Sequence, residues 1–294
     1  MIKMMQKKLV ICADFFGISG GAEQTLEALV SGVLKEKRLA NSDVEYILTS
    51  ELTVEKLNAF KNSIWIFGNY FNLIHSPLRL QIIQQKIKFY VVEFDYKICP
   101  TRNFELYMFQ NRRQYEYEQH AEKVDLFLSS AQKVFFMSSR QMQRHLDFCK
   151  FLKPSKCVLS GSCFNEEALS LLENYRKNPK QDICAVYGQF TWQKGGANAI
   201  FWCEQNNKKY KSLFGLDYKD FLFELSTSST FVFLPNGADT SPRAVIEAQL
   251  MGVEVIISEL VESFDEDWFI EEDLEKKKAY LRSLPQKFAN EIDL

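Results

Sequence analysis

The stretch from Phe231 to Ser258 constrains this chain more than any other. Phe231–Leu234 is an apolar run of strand length, and Pro235-Asn236-Gly237 stops it. Ser241-Pro242 reads as an N-cap followed by proline at the first helical position. Ala244–Met251 is helical in composition, Gly252 stands where a glycine closes a helix, and Val253–Ile257 is a second, β-branched strand. A strand–helix–strand unit this compact implies a parallel sheet with a crossover helix. Asp239 in the loop and Glu247 on the helix then bracket Pro242 near one edge of that sheet.

The same alternation runs through the rest of the chain. Lys8–Phe16 reads as a buried strand, Gly17–Glu23 as a glycine-rich turn, and Gln24–Lys35 as a helix with apolar residues at helical spacing. Such a turn lets backbone N–H groups at a helix start approach an anion, although its glycine spacing is not that of the dinucleotide fingerprint. Strands at Val44–Thr49, Ile64–Phe67 and Phe89–Phe94 alternate with helices at Val54–Phe60 and Leu78–Ile87. Asp95 falls at a strand's carboxyl end, where open α/β sheets bind ligands. Apolar runs at Val124–Leu128 and Val134–Met137 and a helix at Arg140–Leu152 continue the pattern, which means an α/β domain with a parallel sheet. Lys153-Pro154-Ser155-Lys156 is a natural break, and residues 1–155 and 156–294 are expected as two domains. The second opens with a short Cys157–Gly161 segment and a polar helix over Asn165–Lys177. A strand at Ile183–Tyr187, a turn over Gly188–Gly196 and a helix at Ala197–Asn206 follow, with Lys194 placed to meet a phosphate. A helix at Tyr218–Leu225 leads into the opening stretch, and a helical tail runs to Phe288.

Composition narrows the function classes. The 294 residues carry a formal charge of −2, so no global basic field points to nucleic acid. Seven scattered cysteines without a C-x-x-C pair fit buried free thiols in a reducing compartment. With no leader-like or membrane-length apolar run, a cytoplasmic protein is expected. Residues 97–117 mix Pro100, Arg102, Arg112 and Arg113 with Phe104, Tyr107, Phe109, Tyr115 and Tyr117. They read as a solvated basic helix with a core-facing aromatic stripe, or as a site lining or peripheral contact at the inner membrane surface. Asp265-Glu266-Asp267 lies in an acidic run and reads as solvated, not as a metal motif. Ser241 lacks triad partners at defensible spacing.

Four segments in order resemble the family 4 glycosyltransferases. Gly20-Gly21-Ala22-Glu23 matches the family's G-G-x-E turn. Phe94-Asp95-Tyr96-Lys97-Ile98-Cys99-Pro100 is similar to its H-D-Y-x-x-C-P segment. Gly188–Gly195 resembles its G-R…K-G loop. Asp239–Glu247 keeps the spacing of its paired glutamates, followed by Glu247-Ala248…Ser258. The resemblance implies a GT-B fold, two Rossmann-like domains facing across a cleft, with an abbreviated C-terminal domain that carries the donor and a C-terminal helix.

It also implies a retaining, metal-independent hexosyl- or related transferase moving sugar from a UDP- or GDP-sugar to a glycan, lipid-linked or protein acceptor, with no permanent cofactor. Asp239, Lys194 and Asp95 would stand on the reacting side. Glu247, Thr240, Ser241, Arg243, Gly188, Gln189, Gly20 and Gly21 would bind the donor, with Glu247 on the ribose and Lys194 on the diphosphate. The chain departs from the pattern at Phe94, where the family has His, at Gln189, where it has Arg, and at Asp239, where it has Glu. Those departures motivate the alternative of a catalytically degenerate nucleotide-sugar-binding or scaffolding protein. A nucleotide-dependent α/β enzyme of another kind, such as an epimerase or a phosphorylase-like protein, is the third class.

Overall fold

The computed structural model describes residues 8–18, 20–110, 114–187 and 192–294. Two parallel sheets organise them. The first has six strands, β1 (Leu9–Ala13), β2 (Val44–Leu48), β3 (Ile64–Gly68), β4 (Phe89–Glu93), β5 (Val134–Phe136) and β6 (Cys157–Leu159), in the order β2-β1-β3-β4-β5-β6. The second has four, β7 (Gln181–Val186), β8 (Tyr210–Ser212), β9 (Ser228–Phe233) and β10 (Glu254–Ile257), in the order β10-β9-β7-β8. The two-domain α/β architecture expected from the alternation is therefore present, and the second sheet is the shorter.

Both faces of the first sheet are covered, so its central strands read as continuous apolar runs. Along β1, Leu9, Ile11 and Ala13 join the core on one face, while Val10 and Cys12 join the core on the other. The first of these cores continues without a break into Ala185, Phe231 and Phe233 of the second sheet. The domains thus share packed interior. All seven cysteines are free thiols, and all but Cys157 are buried.

Four expectations are corrected. First, the break near residue 155 is not the end of the first sheet. Strand β6 pairs with β5 in register, Val134 opposite Cys157 and Phe136 opposite Leu159. A strand of three residues with half-buried side chains gives almost no periodicity to read. Second, the C-terminal helix, Leu274–Glu291, leaves the second domain and packs on the helix Gly21–Glu36 of the first. Third, Val124–Leu128 lies inside the long helix Gln114–Ser130, whose buried stripe mimics a strand-length apolar run. Fourth, residues 97–117 form no single basic helix. They make a turn, a short helix at Phe104–Phe109, and the start of the Gln114 helix; Arg112 and Arg113 lie outside the described residues. Among the described residues, no helix is long and apolar enough to cross a membrane.

Gly32 sits where the first and last helices cross. A Cβ there would lie 2.6 Å from both Cβ and the carbonyl oxygen of Pro285. Helix propensity alone would make Gly32→Ala stabilising by about 1 kcal/mol. Overpacking against backbone outweighs that, and Gly32→Ala should lower stability by about 1–2 kcal/mol in urea unfolding. A raised midpoint would show that the two helices separate easily.

Candidate functional site

Chain order places the chemistry. In the first sheet the connection from β2 to β3 passes over β1, so strand order reverses between β1 and β3. In the second sheet the connection from β8 to β9 passes over β7, so it reverses between β7 and β9. Loops leaving the carboxyl ends of strands on either side of a reversal diverge and open a crevice. Lys194 comes from the loop after β7 and Asp239 from the loop after β9. They meet across the second crevice, Lys194 Nζ to Asp239 Oδ2 at 2.7 Å.

A cavity of about 350 Å³ adjoins this pair. Its lining combines the polar Lys194, Arg243 and Glu247 with the apolar Leu213, Phe214, Leu216 and Phe221. Gly21, at the start of the Gly21–Glu36 helix, contributes to the wall, so both domains line the space. Burial opposes the charge on Lys194, but the adjacent Asp239 carboxylate prevails and holds the ammonium's pKa above its ordinary value.

Glu247 lies on the helix Arg243–Leu250 and is buried. Its Oε1 accepts from the Tyr218 hydroxyl at 2.5 Å and from Arg243 Nε at 2.8 Å. Arg243 also donates from Nη1 to the Cys163 carbonyl at 2.6 Å, and its guanidinium lies 4.0 Å from the centroid of the Phe164 ring. Its charge is thus turned toward Glu247 and the interdomain link. Tyr218 was not among the residues expected at the site. Its hydroxyl is pushed to higher pKa by burial and by Glu247, so it is a stable donor to that carboxylate.

Thr240 and Ser241 do not line the cavity. The Thr240 hydroxyl donates to the Phe94 carbonyl at 2.8 Å. Ser241 Oγ accepts from the Ser162 amide at 3.3 Å, and its carbonyl accepts from the Ser162 hydroxyl at 2.7 Å. These bonds cross from the second domain to the first sheet and the segment following it. The helix start is corrected too. Pro242, not Ser241, is the N-cap, and proline has no side-chain acceptor to cap the helix with. Gly252 closes the helix as expected, with φ +71°.

Asp95 lies at the end of β4 among cations. Its Oδ1 pairs with Lys97 Nζ at 2.9 Å, and its Oδ2 accepts from Arg102 Nε at 2.8 Å and from Arg102 Nη2. Burial would raise the carboxyl's pKa, but Lys97 and Arg102 outweigh it and hold it below the ordinary value. Arg102 Nη2 reaches on to Asn69 Oδ1 at 3.0 Å, and Asn69 Nδ2 to Glu23 Oε1 at 2.9 Å. Both Asn69 and Arg102 adopt left-handed backbone, at φ +52° and +58°. Such conformations in non-glycine residues persist where surrounding contacts fix them. The chain of bonds ends beside Gly20, where a Cβ would overlap Glu23 Oε2. Gly188 and Gln189 lie outside the described residues. Among the described residues, no group of three or more His, Cys, Asp or Glu side chains is placed to hold a metal ion.

No protein-family model matches the chain, and no curated protein matches its sequence. Solved structures do match its fold. The Anabaena HepE complex with UDP-glucose is 12% identical, with 96% of this chain and 94% of that one covered at a TM-score of 0.56. A glycosyltransferase from Rickettsia africae is 13% identical over 97% and 92% of the two chains, at a TM-score of 0.55. An E. coli trehalose-6-phosphate protein bound with UDP-2-fluoro glucose is 10% identical over 96% and 94%, at a TM-score of 0.59. The fold is the GT-B arrangement of two facing α/β domains.

Proposed function

We propose that this chain is a glycosyltransferase that moves a hexosyl or related sugar from a nucleotide-diphosphate sugar to a glycan, lipid-linked or protein acceptor. The observation that carries the reading is the cavity beside the switch point of the second sheet. It joins a lysine, a buried and oriented glutamate, and the uncapped start of a first-domain helix. The complexes of two fold neighbours with UDP-glucose and UDP-2-fluoro glucose support the same ligand class.

In this reading the apolar lining residues, Leu213, Phe214 and Leu216 with Phe221, take the nucleobase. Glu247 accepts from the ribose hydroxyls through Oε2, while Tyr218 and Arg243 keep Oε1 fixed. Lys194 and the Gly21 helix start neutralise the diphosphate as it leaves, an electrostatic role that needs no metal. Asp239 faces the donor sugar, and transfer retains anomeric configuration. Lys194 must then exchange part of its contact with Asp239 for phosphate oxygens. Asp95 holds the first-domain wall in place through Arg102.

The test is incubation with a panel of nucleotide sugars, following nucleotide release by transfer or hydrolysis. Release sustains the proposal. Binding of a nucleotide sugar without release would assign the chain to the non-catalytic alternative, and absence of binding would remove both. Glu247→Ala should weaken donor binding tenfold or more, because hydrogen bonds to a charged group contribute about 1.5–3 kcal/mol each. Calorimetric titration with UDP and GDP reads this directly, and unchanged affinity takes Glu247 out of the site.

A further inference from the structure

We propose that Asn103 and Glu105 of the first domain are positioning residues that set the place of Asp239 by clamping the backbone of the residue before it; this rests on the donor reading above. Ala238, next to Asp239, is buried. A buried residue needs partners for both its backbone N–H and its backbone C=O. Here both partners are side chains of the opposite domain. Glu105 Oε2 accepts from the Ala238 amide at 3.1 Å, and Asn103 Nδ2 donates to the Ala238 carbonyl at 3.2 Å.

Each clamp residue is itself held. Asn103 is the N-cap of the helix Phe104–Phe109, its Oδ1 accepting from the Leu106 amide at 2.9 Å. Glu105 Oε1 accepts from Arg144 Nη1 at 3.3 Å, and that guanidinium stands over the Tyr96 and Phe104 rings. Gly237 completes the fit. A Cβ there would come within 2.5 Å of Asn103 Nδ2, so only glycine allows the amide to approach.

Asp239 itself is held by its own domain: its amide donates to the Leu260 carbonyl at 2.8 Å, and its carbonyl accepts from the Glu262 amide at 2.9 Å. The Asp239 backbone is therefore held by its own domain, while its neighbours on both sides, Ala238 and Thr240, are held by the first domain. Separating the domains would break the Ala238 contacts together with that of Thr240, and release the loop on both sides of Asp239. The place of Asp239 relative to Lys194 and the cavity then depends on how the two domains meet.

The experiment compares wild type with Asn103→Ala, Glu105→Ala, Glu105→Gln and Gly237→Ala. Two quantities are read: hydrogen exchange of the segment 235–241, and steady-state kinetics beside UDP affinity. The clamp predicts at least tenfold faster exchange at 235–241 in the two alanine truncations and in Gly237→Ala, with the β7 and β9 amides still protected. It predicts kcat lowered about ten- to a hundredfold in those variants with UDP affinity within threefold. Glu105→Gln, which keeps an acceptor, should recover part of both.

Exchange at 235–241 unchanged from wild type would overturn the clamp. So would faster exchange with unchanged kcat, or loss spread evenly over exchange, affinity and unfolding midpoint, which a general structural role would give. A wild type that turns over no nucleotide sugar defeats the proposed transferase, and the exchange data then decide the clamp by themselves.

Discussion

Lys194→Ala should lower kcat by about 10²–10³-fold while changing UDP affinity far less. The size follows from removing one preorganised electrostatic contact aimed at charge that develops as the bond breaks. The asymmetry follows from the pairing of Lys194 with Asp239. Lys194 already holds an ion pair with Asp239, so ground-state phosphate contact must displace a partner at 2.7 Å, and the net gain on binding is small. As the diphosphate leaves, its charge grows and the ammonium is drawn to it. Without the lysine, Asp239 also loses its cation, and a carboxylate beside a departing anion opposes the reaction. Steady-state kinetics with the best donor of the panel, set beside titration with UDP, measure both quantities. An unaltered kcat would remove Lys194 from the leaving-group role. Lys194→Arg keeps the charge but not the compact ammonium, and should recover only part of the rate.

Gly195→Ala should cost about 2–4 kcal/mol of stability. Gly195 has φ +62°, and an added Cβ would overlap the Leu234 carbonyl oxygen and sit 2.8 Å from its carbon. Left-handed backbone contributes about 1–2 kcal/mol of this and the clash with backbone the rest. Gly215 supplies the control: its φ is +73°, but nothing lies within 4 Å of a Cβ there. Gly215→Ala should therefore show the backbone cost alone. Urea unfolding of the two variants separates the terms, and equal losses would mean that the Leu234 strand end yields.

The sequence made the sheets legible because a strand covered on both faces is an unbroken apolar run, as in Leu9–Ala13 and Phe231–Phe233. It made Lys194, Asp239 and Glu247 legible as candidates because each follows a strand or opens the helix after one. It could not show what they touch. Lys194 and Asp239 stand 45 residues apart, and their pairing depends on the reversal of strand order between β7 and β9. Tyr218 carried no signal, since a tyrosine at a helix start is as readily packing as chemistry. Asp95 looked free to react, yet Lys97 and Arg102 occupy both its oxygens, and Arg102 reaches it only by a left-handed turn that no periodicity announces. The Ala238 contacts were invisible for a plainer reason: a backbone amide carries no residue identity.

The helix Leu274–Glu291 has a consequence for how the chain is made. Strand β6 completes the first sheet's hydrogen-bonded ladder once residue 159 has been synthesised. The Gly21–Glu36 helix nevertheless keeps an uncovered apolar stripe until roughly 130 further residues emerge, on the order of ten seconds at ~5–20 residues/s. During that interval the nascent first domain lacks the cover that the last helix gives this one in the finished molecule, where Gly32 meets Pro285. Vectorial synthesis thus leaves the earliest domain unfinished until last.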